Sequence, residues 1–97
     1  MIIDSHCHLA DDAFAADLDA VVARAVEAGV ETALCILSAD EPEEVGRAEV
    51  VRRAWPAVRF AAAIHPHRAG HYAGWTTEAA AITRESGSRV AAVAIGE

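Results

Sequence analysis

The sequence contains no lysine and few aromatic residues. All eight basic residues are arginine, against fifteen acidic residues and a net charge of −7. Non-specific binding to nucleic acid depends on clustered cations, so this balance argues against a surface that follows a phosphate backbone. The charge is also uneven, since residues 1–50 hold twelve acidic residues and two arginines, whereas residues 51–97 hold three and six. A bound polyanion therefore has to be neutralised by the second half of the chain or by a metal.

Cysteine and long apolar runs are also scarce. Cys7 and Cys35 are the only cysteines and do not form a CxxC motif, so we expect two reduced thiols without a disulfide framework or a cysteine zinc site. No apolar run approaches the ~20 residues that cross a bilayer. The N-terminus also lacks the basic and apolar regions of a signal peptide. These absences predict a cytoplasmic protein that does not bind membranes.

The composition that remains is typical of one small globular domain over residues 1–97. Hydrophobic residues make up 54% of the chain and charged residues 24%. Many of the hydrophobic residues are alanines, each of which buries little area. A domain of this size hides roughly 60–65% of the surface of its unfolded chain. We therefore expect a folded domain of marginal stability.

Apolar periodicity predicts strands and helices in alternation. Residues 17–28 place apolar side chains at helical spacing, and Gly29 is a suitable helix stop. Ser38 and Asp40 are candidate N-caps of a second helix, which is predicted to end at Pro56, and Asp40 with Glu43 has the spacing of a capping box. A third is predicted from Thr76 or Thr77 through Ser86, and the strands are predicted at 1–8, 30–37, 58–64 and 89–95. This order indicates an α/β fold with four parallel strands joined by three helices.

Two histidines stand at the end of the first predicted strand. Alternate residues of a strand share a face, so His6 and His8 lie on one side, Asp4 lies with them, and Cys7 points away. Two imidazoles so placed can chelate one divalent cation, and a carboxylate from another strand would complete the site. The alternative is a polar strand end that hydrogen-bonds to neighbouring loops.

The segment IIDSHCHL at residues 2–9 resembles the opening signature of the TatD family of metal-dependent hydrolases, which are amidohydrolase-like TIM barrels. Three further segments are similar to motifs of that family and occur in the same order. They are ARAVEAGV at 23–30, IHPH at 64–67 and VAIGE at 93–97. One departure is Ala10, where the family usually has Asp or Asn, although Asp11 and Asp12 follow it.

The resemblance implies the N-terminal half of a TIM (β/α)₈ barrel. A complete barrel needs eight strands and typically ~250 residues, so we expect the barrel to be incomplete. By the same resemblance, His6 and His8 bind the first of two divalent cations (Mg²⁺, Mn²⁺ or Zn²⁺), and Glu97 bridges the two. His65 is expected to contact the substrate or its phosphate. His67 is expected to point away, and nothing is assigned to His71 or Tyr72.

The function implied is hydrolysis of ester bonds through a divalent metal centre, with the phosphodiester bonds of DNA as the expected substrate. The later metal-binding histidines and the catalytic aspartate of the family have no counterpart here, so no catalytic residue is predicted. We therefore expect a truncated chain, inactive alone, or half-barrels that self-associate through exposed edges.

Three alternatives stay open. The same centre could hydrolyse other esters or amides, or the chain could be a metal-binding half-barrel without catalysis. The PHP phosphoesterase class also begins with His-x-His but usually continues to an Asp-Gly, where this sequence has Ala13. That class is therefore disfavoured.

Overall fold

Four parallel strands form a single sheet. In the computed structural model, which describes residues 1–97, the spatial order follows the chain order β1-β2-β3-β4. All three neighbouring pairs are parallel. The strands are β1 (Ile2–Cys7), β2 (Val30–Ser38), β3 (Arg59–Ala63) and β4 (Ala94–Ile95). The prediction of an α/β fold with four parallel strands is confirmed, and the sheet is not closed, since β1 and β4 are its two edges.

Helices connect the strands. The four α-helices are α1 (Leu18–Glu27), α2 (Pro42–Ala54), α3 (Pro66–Ala69) and α4 (Thr76–Arg89). Short 3₁₀ helices occupy Asp12–Phe14 and Gly70–Tyr72. None of these helices has the length and hydropathy needed to cross a lipid bilayer.

The prediction of three helices is wrong by one, because α3 forms where a loop was expected. Its single turn begins at Pro66, whose fixed φ suits the first helical position. The ring of His65 precedes it and accepts a hydrogen bond from the backbone N–H of His67. A turn this short leaves no apolar period in the sequence, so periodicity did not predict it.

The end of α4 also differs from the prediction. The helix continues past Ser86 and Gly87 to Arg89, so β4 begins at Ala94 and not at 89. The helix ends in a Schellman motif: the N–H of Ala92 donates to the carbonyl of Gly87, and the N–H of Ala91 donates to Ser88. Ala91 has φ of 53°, a left-handed conformation that usually takes glycine. Without glycine there, the sequence offers no stop signal.

The predicted caps of α2 and α4 do not form. Glu41 and Trp75 occupy the N-cap positions, and neither side chain caps the helix. At α2, Glu44 instead accepts a hydrogen bond from the backbone N–H of Ser38 at 2.6 Å. The carboxylate of Asp40, the predicted capping residue, accepts hydrogen bonds from Arg68 and Tyr72, which are distant in sequence.

The core lies between the sheet and its helices. Its cluster of fourteen buried residues centres on β2 and β3 and includes Cys35, Leu37 and Phe60, with Val22 from α1 and Val51 from α2. The guanidinium carbon of Arg52 lies 4.9 Å from the centre of the Phe60 ring. This packing fixes the inner strands, while the edge strands keep large apolar side chains exposed, including Ile2, Ile3 and Ile95.

Candidate metal centre

The carboxyl ends of β1, β3 and β4 bring three histidines and one glutamate together. His6 lies near the end of β1 and His8 just beyond it, His65 follows β3, and Glu97 follows β4. Because parallel strands end at the same edge of a sheet, residues 89 positions apart in sequence become neighbours. The structure therefore brings together all four residues that the sequence singled out.

The distances among three of these residues suit a cation. His6 Nε2 lies 3.2 Å from His8 Nε2, and Glu97 Oε1 lies 3.9 Å from His6 Nε2 and 3.8 Å from His8 Nε2. Ligands at ~2.1 Å from a metal ion are ~3.0–3.4 Å apart in octahedral or tetrahedral geometry. The histidine pair is already at that separation, and a small shift of Glu97 brings its oxygen to it. The set of two imidazoles and a carboxylate can hold a metal ion.

A β-bulge orients the histidine pair. The pairing of β1 with β2 shifts between Asp4, opposite Ala33, and Cys7, opposite Cys35, so one strand contains an extra residue. The Asp4 side chain accepts a hydrogen bond from the backbone N–H of His6 at 3.0 Å. Asp4 was predicted to share the face of the histidines, but its carboxylate stabilises the irregular backbone beside them. Bulges commonly redirect side chains next to functional sites.

The ring of His65 is fixed in one tautomer by its neighbour. Its Nδ1 accepts a hydrogen bond from the backbone N–H of His67 at 3.0 Å. In the neutral ring the proton therefore resides on Nε2, which lies 3.7 Å from Glu97 Oε1. This nitrogen faces the cluster as a donor and not as a free lone pair. His67 itself is exposed, and its ring packs against that of His65 with centroids 4.8 Å apart.

A cavity of about 210 Å³ adjoins the cluster. It is lined by His6 and Glu97 together with apolar residues of the sheet, among them Ile36 and Ala61. A ligand in this cavity would reach His6 and Glu97 from the face of the sheet opposite the core around Phe60.

Ala10, the departure from the family pattern, lies in the core. Only 1% of its surface is exposed, and its carbonyl accepts a hydrogen bond from Arg47 Nε at 2.6 Å. Asp11 does not replace the missing polar group, because its side chain caps the following 3₁₀ helix through the N–H of Ala13. Position 10 therefore contributes an apolar side chain to the core.

A second polar cluster was missed by the sequence analysis. Asp40 Oδ2 accepts hydrogen bonds from Arg68 Nε at 2.6 Å and from the Tyr72 hydroxyl at 2.9 Å. Burial of Asp40 opposes its ionisation, but the hydrogen bonds from Arg68 and Tyr72 outweigh it and hold the pKa of Asp40 below its ordinary value. No local pattern links residues 28 and 32 positions apart, so no sequence signal predicted this cluster.

The comparisons with known proteins agree with the motifs at the strand ends. No curated protein matches the chain at a significant level. The family model described as TatD related DNase matches residues 3–97 and so covers the chain from the second residue of β1 to Glu97. The match includes His6, His8, His65 and Glu97, and it agrees with the resemblance that the sequence motifs indicated. The chain therefore belongs to the TatD-related DNase family, whose fold is a TIM barrel.

Proposed function

We propose that this chain provides the first metal site of a divalent-metal-dependent hydrolase that acts on phosphodiester bonds of DNA. The observation that supports the proposal best is the 3.2 Å separation of His6 Nε2 and His8 Nε2, with Glu97 Oε1 within 3.9 Å of both. Membership of the TatD-related DNase family supports the DNA substrate.

Each residue has a distinct task in this proposal. His6 and His8 present unprotonated Nε2 atoms to one cation, and Glu97 adds one carboxylate oxygen. Its second oxygen makes no hydrogen bond within the protein and can bind a second cation, because a carboxylate spans two ions where one imidazole nitrogen cannot. When bound, such cations polarise the phosphoryl group and activate water.

His65 is proposed to bind substrate. Its Nε2–H faces the same cluster and can donate a hydrogen bond to a phosphate oxygen beside the metal ligands. Because the His67 N–H occupies Nδ1, this donor is retained in the neutral ring. The acidic first half of the chain repels phosphate, so attraction of DNA has to come from the cations, from His65 and from the arginines of residues 51–97.

Metal binding tests the ligand set directly. Titration of the chain with Mn²⁺, followed by electron paramagnetic resonance of the free ion, should give saturable binding. The double variant His6→Ala, His8→Ala should weaken it at least about a hundredfold, because loss of a mere supporting contact costs ten- to a hundredfold. The variant His71→Ala is the control, since His71 is an exposed histidine outside the cluster. Equal binding by the double variant would show that the ligand assignment is wrong.

Hydrolysis is tested on an end-labelled single-stranded DNA with Mg²⁺, Mn²⁺ or Zn²⁺. Residues 1–97 alone are expected to bind metal without cleaving DNA. In a complete eight-stranded barrel that carries these residues, the proposal expects cleavage that a chelator abolishes and that the double histidine variant lacks. Metal binding without cleavage in that complete barrel would instead support the alternative of a metal-binding protein without catalysis.

The role of His65 needs its own pair of variants. His65→Gln keeps an N–H donor at the place of Nε2, whereas His65→Leu removes it. In a complete barrel that carries these residues, the proposal expects His65→Leu to raise KM for DNA with Mn²⁺ affinity unchanged, and His65→Gln to restore part of the loss. A KM unchanged in both variants would contradict the role.

A further inference from the structure

The segment from His65 to Tyr72 has no buried residue. It contains α3 and the second 3₁₀ helix, and neither of these helices buries a side chain. The half-buried residues of the segment are His65, Arg68 and Tyr72, and the others are exposed. A single helical turn is not stable in water without tertiary contacts. Contacts other than apolar burial therefore have to hold this segment in place.

Asp40 supplies these contacts. Its Oδ2 accepts hydrogen bonds from Arg68 Nε at 2.6 Å and from the Tyr72 hydroxyl at 2.9 Å, whereas Oδ1 makes no hydrogen bond within the protein. The one other side-chain hydrogen bond of the segment is local and joins the His67 N–H to His65 Nδ1. The two donors come from α3 and from the following 3₁₀ helix, so one carboxylate oxygen holds both turns.

The backbone beside Asp40 is itself well anchored. The N–H of the preceding residue, Ala39, donates to the carbonyl of Ala63 in β3 at 2.8 Å. The Ala39 carbonyl accepts a hydrogen bond from the Ser86 hydroxyl of α4 at 2.6 Å. The Asp40 side chain is only 3% exposed. Asp40 therefore joins a segment without apolar anchoring to a fixed part of the fold at the end of β2.

The first residue of this segment is the proposed substrate-binding group. The His65 carbonyl accepts a hydrogen bond from the Arg68 N–H at 2.8 Å, and the His65 ring accepts one from the His67 N–H at 3.0 Å. Both donors belong to the turn that Asp40 holds through Arg68. If this turn opens, the His67 N–H leaves Nδ1, and neither the proton on Nε2 nor its direction towards Glu97 is fixed any longer.

We propose that Asp40 is a positioning residue for substrate binding, which keeps the His65 Nε2–H directed at the metal cluster by anchoring α3 through Arg68 and Tyr72. The inference rests on the function proposed above for His65 and adds to it a residue from the end of a different strand. It predicts that loss of the Asp40 carboxylate weakens DNA binding and leaves metal binding unchanged.

Hydrogen exchange tests the anchoring without any activity. In the variant Asp40→Ala, the amides of His67 and Arg68 should exchange about tenfold or more faster than in the original chain, because hydrogen bonds to a charged group are lost. The amides of β3 report opening of the core and should change less. NMR of the ¹⁵N-labelled chain measures these rates.

Two further variants accompany this measurement. Tyr72→Phe removes one of the two donors to Asp40 and should accelerate exchange of the same two amides by a smaller factor. Glu43→Ala is the matched control, since Glu43 is an exposed acidic residue three positions after Asp40 and makes no contact with the segment. It should leave the exchange rates of His67 and Arg68 unchanged.

A double-mutant cycle tests whether Asp40 acts through His65. In a complete barrel that carries these residues, Asp40→Ala should raise KM for DNA with Mn²⁺ affinity unchanged, as His65→Leu does. Added to His65→Leu, it should raise KM by less than about twofold more, because residues that act as one unit are not additive. Asp40→Asn keeps an acceptor oxygen and should restore part of the loss.

Unchanged exchange of the His67 and Arg68 amides in folded Asp40→Ala would overturn the anchoring. If that variant does not fold, as judged by circular dichroism, Tyr72→Phe decides in its place. Effects of Asp40→Ala and His65→Leu on KM that multiply would overturn the action through His65. An unchanged KM in His65→Leu would overturn the substrate role on which the inference rests, so this failure is distinguishable from a failure of the anchoring.

Discussion

Glu44 of α2 accepts a hydrogen bond from the backbone N–H of Ser38 at 2.6 Å, which ties the first turn of the helix to the end of β2. Glu44 and Thr83 are the two polar residues that are buried over the whole residue. The bond satisfies a backbone donor at the point where the strand leaves the sheet. It therefore fixes the direction in which the chain enters α2 and, with it, the position of Asp40.

Removal of this acceptor should destabilise the domain. We expect Glu44→Ala to lower the free energy of unfolding by about 2 kcal/mol, because a hydrogen bond to a charged group is lost and the Ser38 N–H is left without its partner. Glu44→Gln, which keeps an acceptor oxygen, should lose about half as much. Urea unfolding measures both. Glu43→Ala is the matched control, since Glu43 is exposed on the same turn and should change stability by less than about 0.5 kcal/mol.

A substitution at the end of α4, where Ala91 has a left-handed backbone conformation, is expected to stabilise the domain. Ala91 has φ of 53°, which costs a residue with a Cβ roughly 1 kcal/mol and costs glycine little. Ala91→Gly should therefore raise the unfolding free energy by about 0.5–1 kcal/mol. Ala80→Gly, in the exposed interior of the same helix, should lower it by about 1 kcal/mol. Thermal unfolding distinguishes the two, and destabilisation by both would show that Ala91 is not strained.

The ion pair of Asp40 and Arg68 predicts how stability depends on pH. Because the folded protein holds the pKa of Asp40 below its unfolded value, the unfolded chain binds the proton more readily, and stability rises with pH across this interval. The contribution is fully present above about pH 4, the ordinary range for Asp, and is lost as pH falls through the lower folded value.

The difference in unfolding free energy between the original chain and Asp40→Asn isolates the contribution of Asp40 from that of the other acidic groups. We expect the original chain to be the more stable at pH 7, and the gap to narrow as the pH is lowered from about 4 towards 2. Urea midpoints at a series of pH values provide the measurement. A gap that stays constant over this range would contradict the assigned pKa shift.

The two thiols should be protected from alkylation. Cys7 and Cys35 face each other across β1 and β2, Cys35 is fully buried, and both are free. The neighbouring Cys35 sulfur and burial raise the pKa of the Cys7 thiol, so little reactive thiolate forms there. Iodoacetamide at pH 8 should label neither residue in the folded protein and both in guanidinium, as mass spectrometry would show. Rapid labelling of Cys7 under native conditions would contradict this packing.

The motifs at the strand ends were predictable from the sequence because they are local. His6 and His8 share a strand end, so alternation along the strand places them on one face, whereas Glu97 carries no local signal and was predicted from the resemblance to the TatD family. The resemblance to the TatD family gave the same residues, and the family match over residues 3–97 agrees with that resemblance. The metal-binding and substrate-binding roles of these residues remain predictions that the proposed titrations test.

The polar cluster of Asp40 was not predictable from local patterns. Asp40 has the spacing of a helix cap with Glu43, and the capping pattern is a valid local preference. In the fold, Arg68 and Tyr72 reach the same carboxylate from beyond β3. A charged partner for a buried carboxylate outweighs a single backbone hydrogen bond, so the Asp40 side chain pairs with Arg68 and does not cap α2.

The sequence by itself determined the element order, the parallel sheet and the pair of His6 and His8, because each depends on periods of two or 3.6 residues or on a motif within a few positions. Glu97 was predicted only from the resemblance to the TatD family. The tertiary structure alone decided the bulge beside His6, the tautomer of His65, the end of α4 at an alanine and the unpaired oxygen of Asp40. These features arise from contacts between residues distant along the chain, or from a backbone conformation that packing imposes against local preference. Such contacts have no period, and so only the folded chain reveals them.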